Sequence, residues 1–313
     1  MQTIDQAQFQ FDPRAGIVIG VMVAIMVFGV ALDLRWEQFR RILRDPRAPI
    51  VGLLAQFVVL PGIAFAISCV FIRTPSVALG LLLLASCPGG AVSNYMTHLA
   101  RGDVATSVAI TAVTTLACII LTPLLFGLLA SANPATASLL RQVGLSPGQL
   151  IFMFIVTVGL PIAGGMLLAA RRPRAAAKIR VWIRRVSMIL FAFVVVAGTA
   201  VNMGLLVRYA NESLLPAVLA CVLALAVGWT SGRLAGLGAA DRRAVTIEAG
   251  GQQAGLAIGI AIAFFPSLAG VAVMCAVWGV VQVALIVPLV AIWSRIPPRR
   301  SGQESPAELA AGP

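Results

Sequence analysis

Residues 245–256 read VTIEAGGQQAGL, which sets one carboxylate, Glu248, and two adjacent amides, Gln252 and Gln253, among three glycines. They lie within an apolar run from 244 to 265. An acid carried to the centre of a bilayer costs roughly 2.5–3.5 kcal/mol, so such acids are rare and tend to face a protein interior or a wet cavity. Gly250 and Gly251 weaken the helix where its polar groups stand, and Glu248 and Gln252 are four apart, on one helix face. A helix broken at that depth persists only where protein or water receives its freed backbone groups. The pattern reads as a cation site at a helix break. The plainer reading is a glycine-rich helix contact around one satisfied acid.

Composition decides what kind of chain carries this stretch. Of its 313 residues 60% are hydrophobic and only 11% charged, where a soluble domain carries about 25% charged residues. An integral membrane protein follows. The five cysteines, Cys69, Cys87, Cys118, Cys221 and Cys275, all fall in apolar segments and read as small buried hydrophobes, with no CxxC spacing among them. His98 is the only histidine, so neither a histidine-rich metal site nor a Ser-His-Asp triad is expected. An intramembrane hydrolase would need a nucleophile and base or paired acids, and Glu248 is the only carboxylate deep in an apolar span. An enzyme is not expected.

Nine apolar segments are long enough to span: 16–32, 49–71, 77–99, 104–129, 150–170, 186–207, 214–237, 244–265 and 268–293. All of the 23 Lys and Arg except Arg14, Arg73, Arg141 and Arg208 fall on one side of that arrangement. Basic loops stay cytoplasmic, so the N-terminus is expected outside and the C-terminus inside, which requires an odd number of spans. Loops at an anionic lipid surface account for the net charge of +12 without nucleic acid. The chain therefore divides into a polar extracellular segment over 1–15, one transmembrane domain over 16–294 and a polar cytoplasmic tail over 295–313, expected to be disordered. A bacterial-type plasma membrane is the expected location, and no protein partner is implied.

Two segments are interrupted, the third at Pro88-Gly89-Gly90 and the eighth at Gly250-Gly251. They enter the membrane from opposite sides, and amides follow each break. Paired interrupted helices of opposite direction point to an inverted-repeat secondary transporter with its site at the bilayer midplane. The expected architecture is all-α and polytopic, with pseudo-repeats near 16–131 and 147–294.

The strings CPGGAVSNYMTHLARGDVATSVAIT (87–111), TIEAGGQQAGLA (246–257) and LLAQFVVLP (53–61) resemble the bile acid:sodium symporter family, in the same order from about Phe28 to Trp278. Many members of that family have ten helices in two five-helix inverted repeats, with the broken fourth and ninth crossing at mid-membrane. The resemblance implies that this chain begins at the equivalent of their second helix, giving nine. It also implies two sodium ions behind the crossover. One would be held by Ser93, Asn94, Ser107, Thr111 and Glu248, the other by Gln56, Gln252 and main-chain carbonyls. Hydroxyl, amide and carboxylate oxygens suit a hard cation. Ser107 and Thr111 share a helix face, although each alone would also read as an interhelical hydrogen bond.

The chain departs from the family pattern near the substrate. Gln253 stands where an Asn is common, Ala91 where a hydroxyl is common after the glycine pair ending at Gly90, and Trp278-Gly279-Val280 where a Trp-His-Asn string is common, with Gln282 further on. Gly90, Ala91 and Gln253 are thus candidate substrate contacts. Asn202 either lines the cavity or bonds a neighbouring helix. The implied activity is sodium-coupled symport of an organic anion by alternating access. Two alternatives stay open: a proton-coupled organic-anion transporter using Glu248, and a non-transporting membrane sensor of such an anion.

Overall fold

A computed structural model describes residues 13–32, 45–143, 147–183 and 203–298, with isolated positions 43, 185, 186 and 189 besides. Among these residues the chain is helical throughout, and no strand forms. In chain order the elements are α1 (Pro13–Ala31), α2 (Arg47–Val70), α3 (Pro75–Ala85), α4 (Ala91–Leu99), α5 (Val104–Ala132), α6 (Pro134–Val143), α7 (147–171), α8 (Met203–Leu234), α9 (Ala239–Gly250), α10 (Ala254–Phe264) and α11 (Ala269–Arg295). Helices of length and apolarity sufficient to cross a membrane are Arg47–Val70, Val104–Ala132, Glu212–Leu234 and Ala269–Arg295. The chain is an all-helical polytopic membrane protein.

Local sequence explains where the helices start and bend. Pro75, Pro134 and Pro147 open α3, α6 and α7, where proline's missing N–H would have had no intrahelical partner. Asp103 caps α5, its Oδ1 accepting from the Thr106 amide at 2.7 Å. Pro61 and Pro161 stand in the middle of α2 and α7, and each follows a widened π turn, over Ala55–Val59 and Ile155–Gly159. Proline removes one ladder hydrogen bond and crowds the carbonyl four residues back, and the wider turn accommodates it.

The packing surrounds α3, whose residues Ser76–Ala85 are all buried. Helix α11 lies along α3 and α8, while α1 lies against α7 and α10. Phe126 of α5 meets Phe265, just past α10, edge-on at 5.8 Å. Close helix contact replaces hydrophobic driving force inside lipid, and Gly80 shows it. A methyl there would fall 2.6 Å from the Val271 carbonyl oxygen and 2.8 Å from Met274 Cβ.

Some boundaries differ from the sequence reading. The first break spans residues 86–90, and the second spans 251–253, with Gly250 still helical. Helix α8 begins at Met203, so the polar stretch before 214 is helix rather than loop. The short helix α6, polar along one side, was not foreseen. Cys69 is exposed, while Cys87, Cys118, Cys221 and Cys275 are buried. Most of the segment 186–207, the first twelve residues and the tail beyond 298 lie outside the described residues.

Because the atoms facing Gly80 are backbone and a Cβ bonded directly to it, they cannot swing away. Gly80→Ala is expected to destabilise the protein by about 1–3 kcal/mol, read as a lower melting temperature in detergent without loss of helical content.

Candidate cation site

The two breaks meet. The Gly90 amide donates to the Gly251 carbonyl at 3.0 Å, and the Gln253 amide donates to the Pro88 carbonyl at 3.0 Å. Gly89 and Gln252 thereby pair as an isolated antiparallel bridge. Each break supplies partners for the backbone groups that the other frees, which is what unwound chain in an apolar interior requires. Side chains complete the set. Thr122 Oγ1 of α5 donates to the Ser86 carbonyl at 2.6 Å, and Gln282 Nε2 of α11 donates to the Gln252 carbonyl at 3.1 Å.

Glu248, two residues before the end of α9, is fully buried. Its Oε1 accepts from Ser93 Oγ of α4 at 2.6 Å, and from Ser107 Oγ at 2.5 Å and Thr111 Oγ1 at 3.0 Å of α5. Asn94 Oδ1 joins the group, 2.8 Å from Ser107 Oγ and 3.2 Å from Thr111 Oγ1. Ser93 Oγ also stands 2.5 Å from the Gly90 carbonyl, and Thr111 Oγ1 3.1 Å from the Ser107 carbonyl. Each of these hydroxyls carries one hydrogen yet approaches two or three acceptor oxygens. Oxygens therefore crowd together with fewer hydrogens than contacts. All five residues named from the sequence converge here, from three helices.

The other carboxylate oxygen, Oε2, has no hydrogen-bond partner, and neither has Gln56 Oε1. Both flank Gly89, where an added Cβ would lie 2.6 Å from Glu248 Oε2 and 3.6 Å from Gln56 Oε1. Gln56 is brought there by the π turn of α2 and is fully buried. Its Nε2 donates to Gln252 Oε1 at 3.3 Å, and Gln252 Nε2 donates to the Ala249 carbonyl at 3.1 Å. Two acceptors without partners thus stand beside one glycine, with Gln56 Nε2 also near, 3.3 Å from the same added Cβ.

Among the candidate substrate residues, Gly90 is buried and its Cα faces the backbone of 251–253, with the nearest atoms 3.7 Å from an added Cβ. Ala91 is the first residue of α4. Gln253 is half-buried and caps α10, its carbonyl accepting from the Leu256 and Ala257 amides. Asn202 lies outside the described residues. Sequence reasoning gave no role to Thr122 or Gln282. Both are polar residues in long apolar helices, and that was their only signal.

An all-helical membrane protein in which two interrupted helices meet beside a buried carboxylate has the form of a secondary transporter rather than an enzyme. Comparison with known sequences agrees. Residues 20–209 match the Sodium Bile acid symporter family, and the chain belongs to that family. The match includes Gln56, Ser93, Asn94, Ser107 and Thr111 and stops short of Glu248. The chain is 29% identical over 253 residues to the uncharacterized sodium-dependent transporter YocS of Bacillus subtilis (strain 168), covering 81% of this chain and 76% of that one. It is 29% identical over 236 residues to the probable sodium/metabolite cotransporter BASS2, chloroplastic, of Oryza sativa subsp. japonica, covering 75% of this chain but 54% of that one. It is 28% identical over 284 residues to the probable sodium/metabolite cotransporter BASS1, chloroplastic, of Arabidopsis thaliana, covering 90% and 68%.

Gly89→Ala would push a methyl onto Glu248 Oε2 while leaving the hydroxyls of Ser93, Ser107 and Thr111 in place. It is expected to abolish stabilisation of the purified protein by sodium salt relative to potassium salt, with the circular dichroism spectrum unchanged.

Proposed function

We propose that this chain is a sodium-coupled symporter of a small organic anion, working by alternating access around the crossed breaks. The observation that carries the reading is the oxygen group around Glu248 Oε1, which holds more oxygen contacts than hydrogens. The carboxylate balances one monovalent cation and a bound organic anion would balance a second, so the loaded site stays neutral overall, which is what a low-dielectric interior favours. The first ion would sit among Ser93, Asn94, Ser107, Thr111 and Glu248 Oε1. A second would use Glu248 Oε2, Gln56, Gln252 and neighbouring carbonyls. The relatives named as sodium-dependent or sodium/metabolite transporters support sodium as the ion.

The anion follows from the same backbone. Helices α4 and α10 both begin at the breaks, so both present N-terminal partial positive charge there. Gly90, Ala91 and Gln253 stand at those two starts. Sodium draws Glu248 and the hydroxyls of α4 and α5 together, and this orders the helix starts that receive the anion. The two ligands then stabilise one arrangement, and each raises the affinity for the other by the same factor. We place the crossing at the bilayer midplane of a nine-helix inverted repeat, with the N-terminus outside the plasma membrane and the C-terminus in the cytoplasm.

A thermal-shift screen of small carboxylates in sodium and in potassium tests this directly, because a ligand that binds the native state raises its stability by mass action. An anion that stabilises only in sodium is the expected result. Glu248→Ala should lose that response while remaining folded in detergent. Equal anion binding in both salts would refute the coupling, and uptake driven by pH but indifferent to replacing sodium with choline would make Glu248 a proton carrier instead.

A further inference from the structure

Arg243 is 5% exposed and lies one turn into α9, in the half of the helix away from the break. Its Nη1 donates to the Ala100 carbonyl at 2.8 Å and to the Trp293 carbonyl at 3.1 Å, and its Nη2 donates to the Ile296 carbonyl at 2.9 Å. Ala100 is the C-cap of α4, and Ile296 the C-cap of α11. One guanidinium thus joins the carbonyl-bearing ends of two helices to the start of a third. Cations are favoured at such ends because the last carbonyls lack intrahelical partners and carry partial negative charge.

Two of the three helices joined, α4 and α9, carry residues of the site, and the third, α11, braces the break beside it. Helix α4 carries Ser93 and Asn94, α9 carries Glu248, and α11 holds the Gln252 carbonyl through Gln282. Around the clasp, Arg243 Cζ lies 5.5 Å from the Trp293 ring centre, and Trp293 stacks on Trp229 of α8 at 5.6 Å. Arg242 Cζ lies over the Trp229 ring, 4.1 Å from its centre. The start of α5 is tied to the same end, with the Asp103 amide donating to the Ala240 carbonyl at 3.0 Å and Thr106 Oγ1 to Asp241 Oδ1 at 2.6 Å. Glu248 is five residues from Arg243, about 7.5 Å along the helix, so Arg243 touches neither ion position.

We propose that Arg243 is a positioning residue that sets the cation affinity of the site by fixing the spacing of α4, α9 and α11. Without it α4 is free to slide on α9, and the Ser93 and Asn94 oxygens no longer converge on Glu248. Lysine cannot replace it, because one ammonium lacks the planar fork that reaches three carbonyls at once. The inference rests on the sodium-coupled reading above. It goes beyond that reading in placing control of affinity at the opposite helix ends.

The test is thermal melting of the full-length protein in detergent against sodium chloride, with choline chloride holding ionic strength constant. Arg243→Lys and Arg243→Met are expected to raise the sodium concentration at half-maximal stabilisation about tenfold, the size of effect that groups behind a metal ligand exert. Arg242→Met, which removes only the charge stacked on Trp229, is expected to move it less than twofold. A role in folding alone would lower the melting temperature in choline and leave the sodium midpoint in place. That result in both Arg243 variants overturns the proposal. If the unmodified protein shows no sodium-specific stabilisation, the cation reading itself fails, which is a different outcome. Hydrogen exchange on the unmodified protein provides a measure that does not depend on variants folding. Sodium should protect 91–99 and 293–296 together, and protection confined to the breaks would count against Arg243.

Discussion

A carboxylate with no exposed surface must be compensated inside the protein, and most of this structure is arranged around that requirement at Glu248. Its Oε1 is met by hydroxyls from α4 and α5, and Asn94 stands behind them. Its Oε2 is left with Gln56 Oε1 beside a glycine that has no side chain to fill the space. An arrangement with such an excess of acceptors is poor as a hydrogen-bonded core and good as a cation cage. The difference between those two outcomes is the physical basis of the functional reading.

The oxygen cluster forms because two helices fail at the same place. Pro88 cannot donate to a ladder, and Gly89, Gly90 and Gly251 within the breaks carry no Cβ to keep the two chains apart. The backbone groups this exposes are satisfied by the other break, through the Gly90–Gly251 and Gln253–Pro88 hydrogen bonds. Neither break would be tolerable alone in an apolar surround. Together they form one polar crossing, with carbonyls and helix starts concentrated where the buried acid stands. Thr122, Gln282 and the π turn of α2 are further supports of that crossing, each supplied by a helix that is itself continuous.

Much of this was readable in advance, and for identifiable reasons. Membrane hydrophobicity marks helices plainly, so the ranges for α1, α2, α5 and α11 agree with the apolar segments to within a few residues. The breaks were visible because proline and paired glycine interrupt a helix whatever surrounds it. Glu248, Asn94, Ser93, Ser107 and Thr111 stood out because polar groups are costly in an apolar run. Helix α6 and the early start of α8 were not visible, since their sequences are polar enough to read as loop. The helical state of α6 depends on the helices it packs against, α3 and α5. Thr122 and Gln282 were visible as polar residues but not as supports, because an isolated threonine or glutamine in a span has several equivalent uses.

The sequence by itself determined that the chain is a helical membrane protein, that two of its helices are broken, and which oxygen-bearing side chains are set into them. Those properties depend on the transfer cost of side chains and on local backbone chemistry, which act residue by residue. Only the tertiary structure decided that residues 93, 107, 111 and 248 share one carboxylate oxygen, that the breaks bond to each other rather than to water, and that Arg243 clasps the ends of α4 and α11. Those are distances between groups far apart along the chain, set by how helices pack, and no local rule contains them.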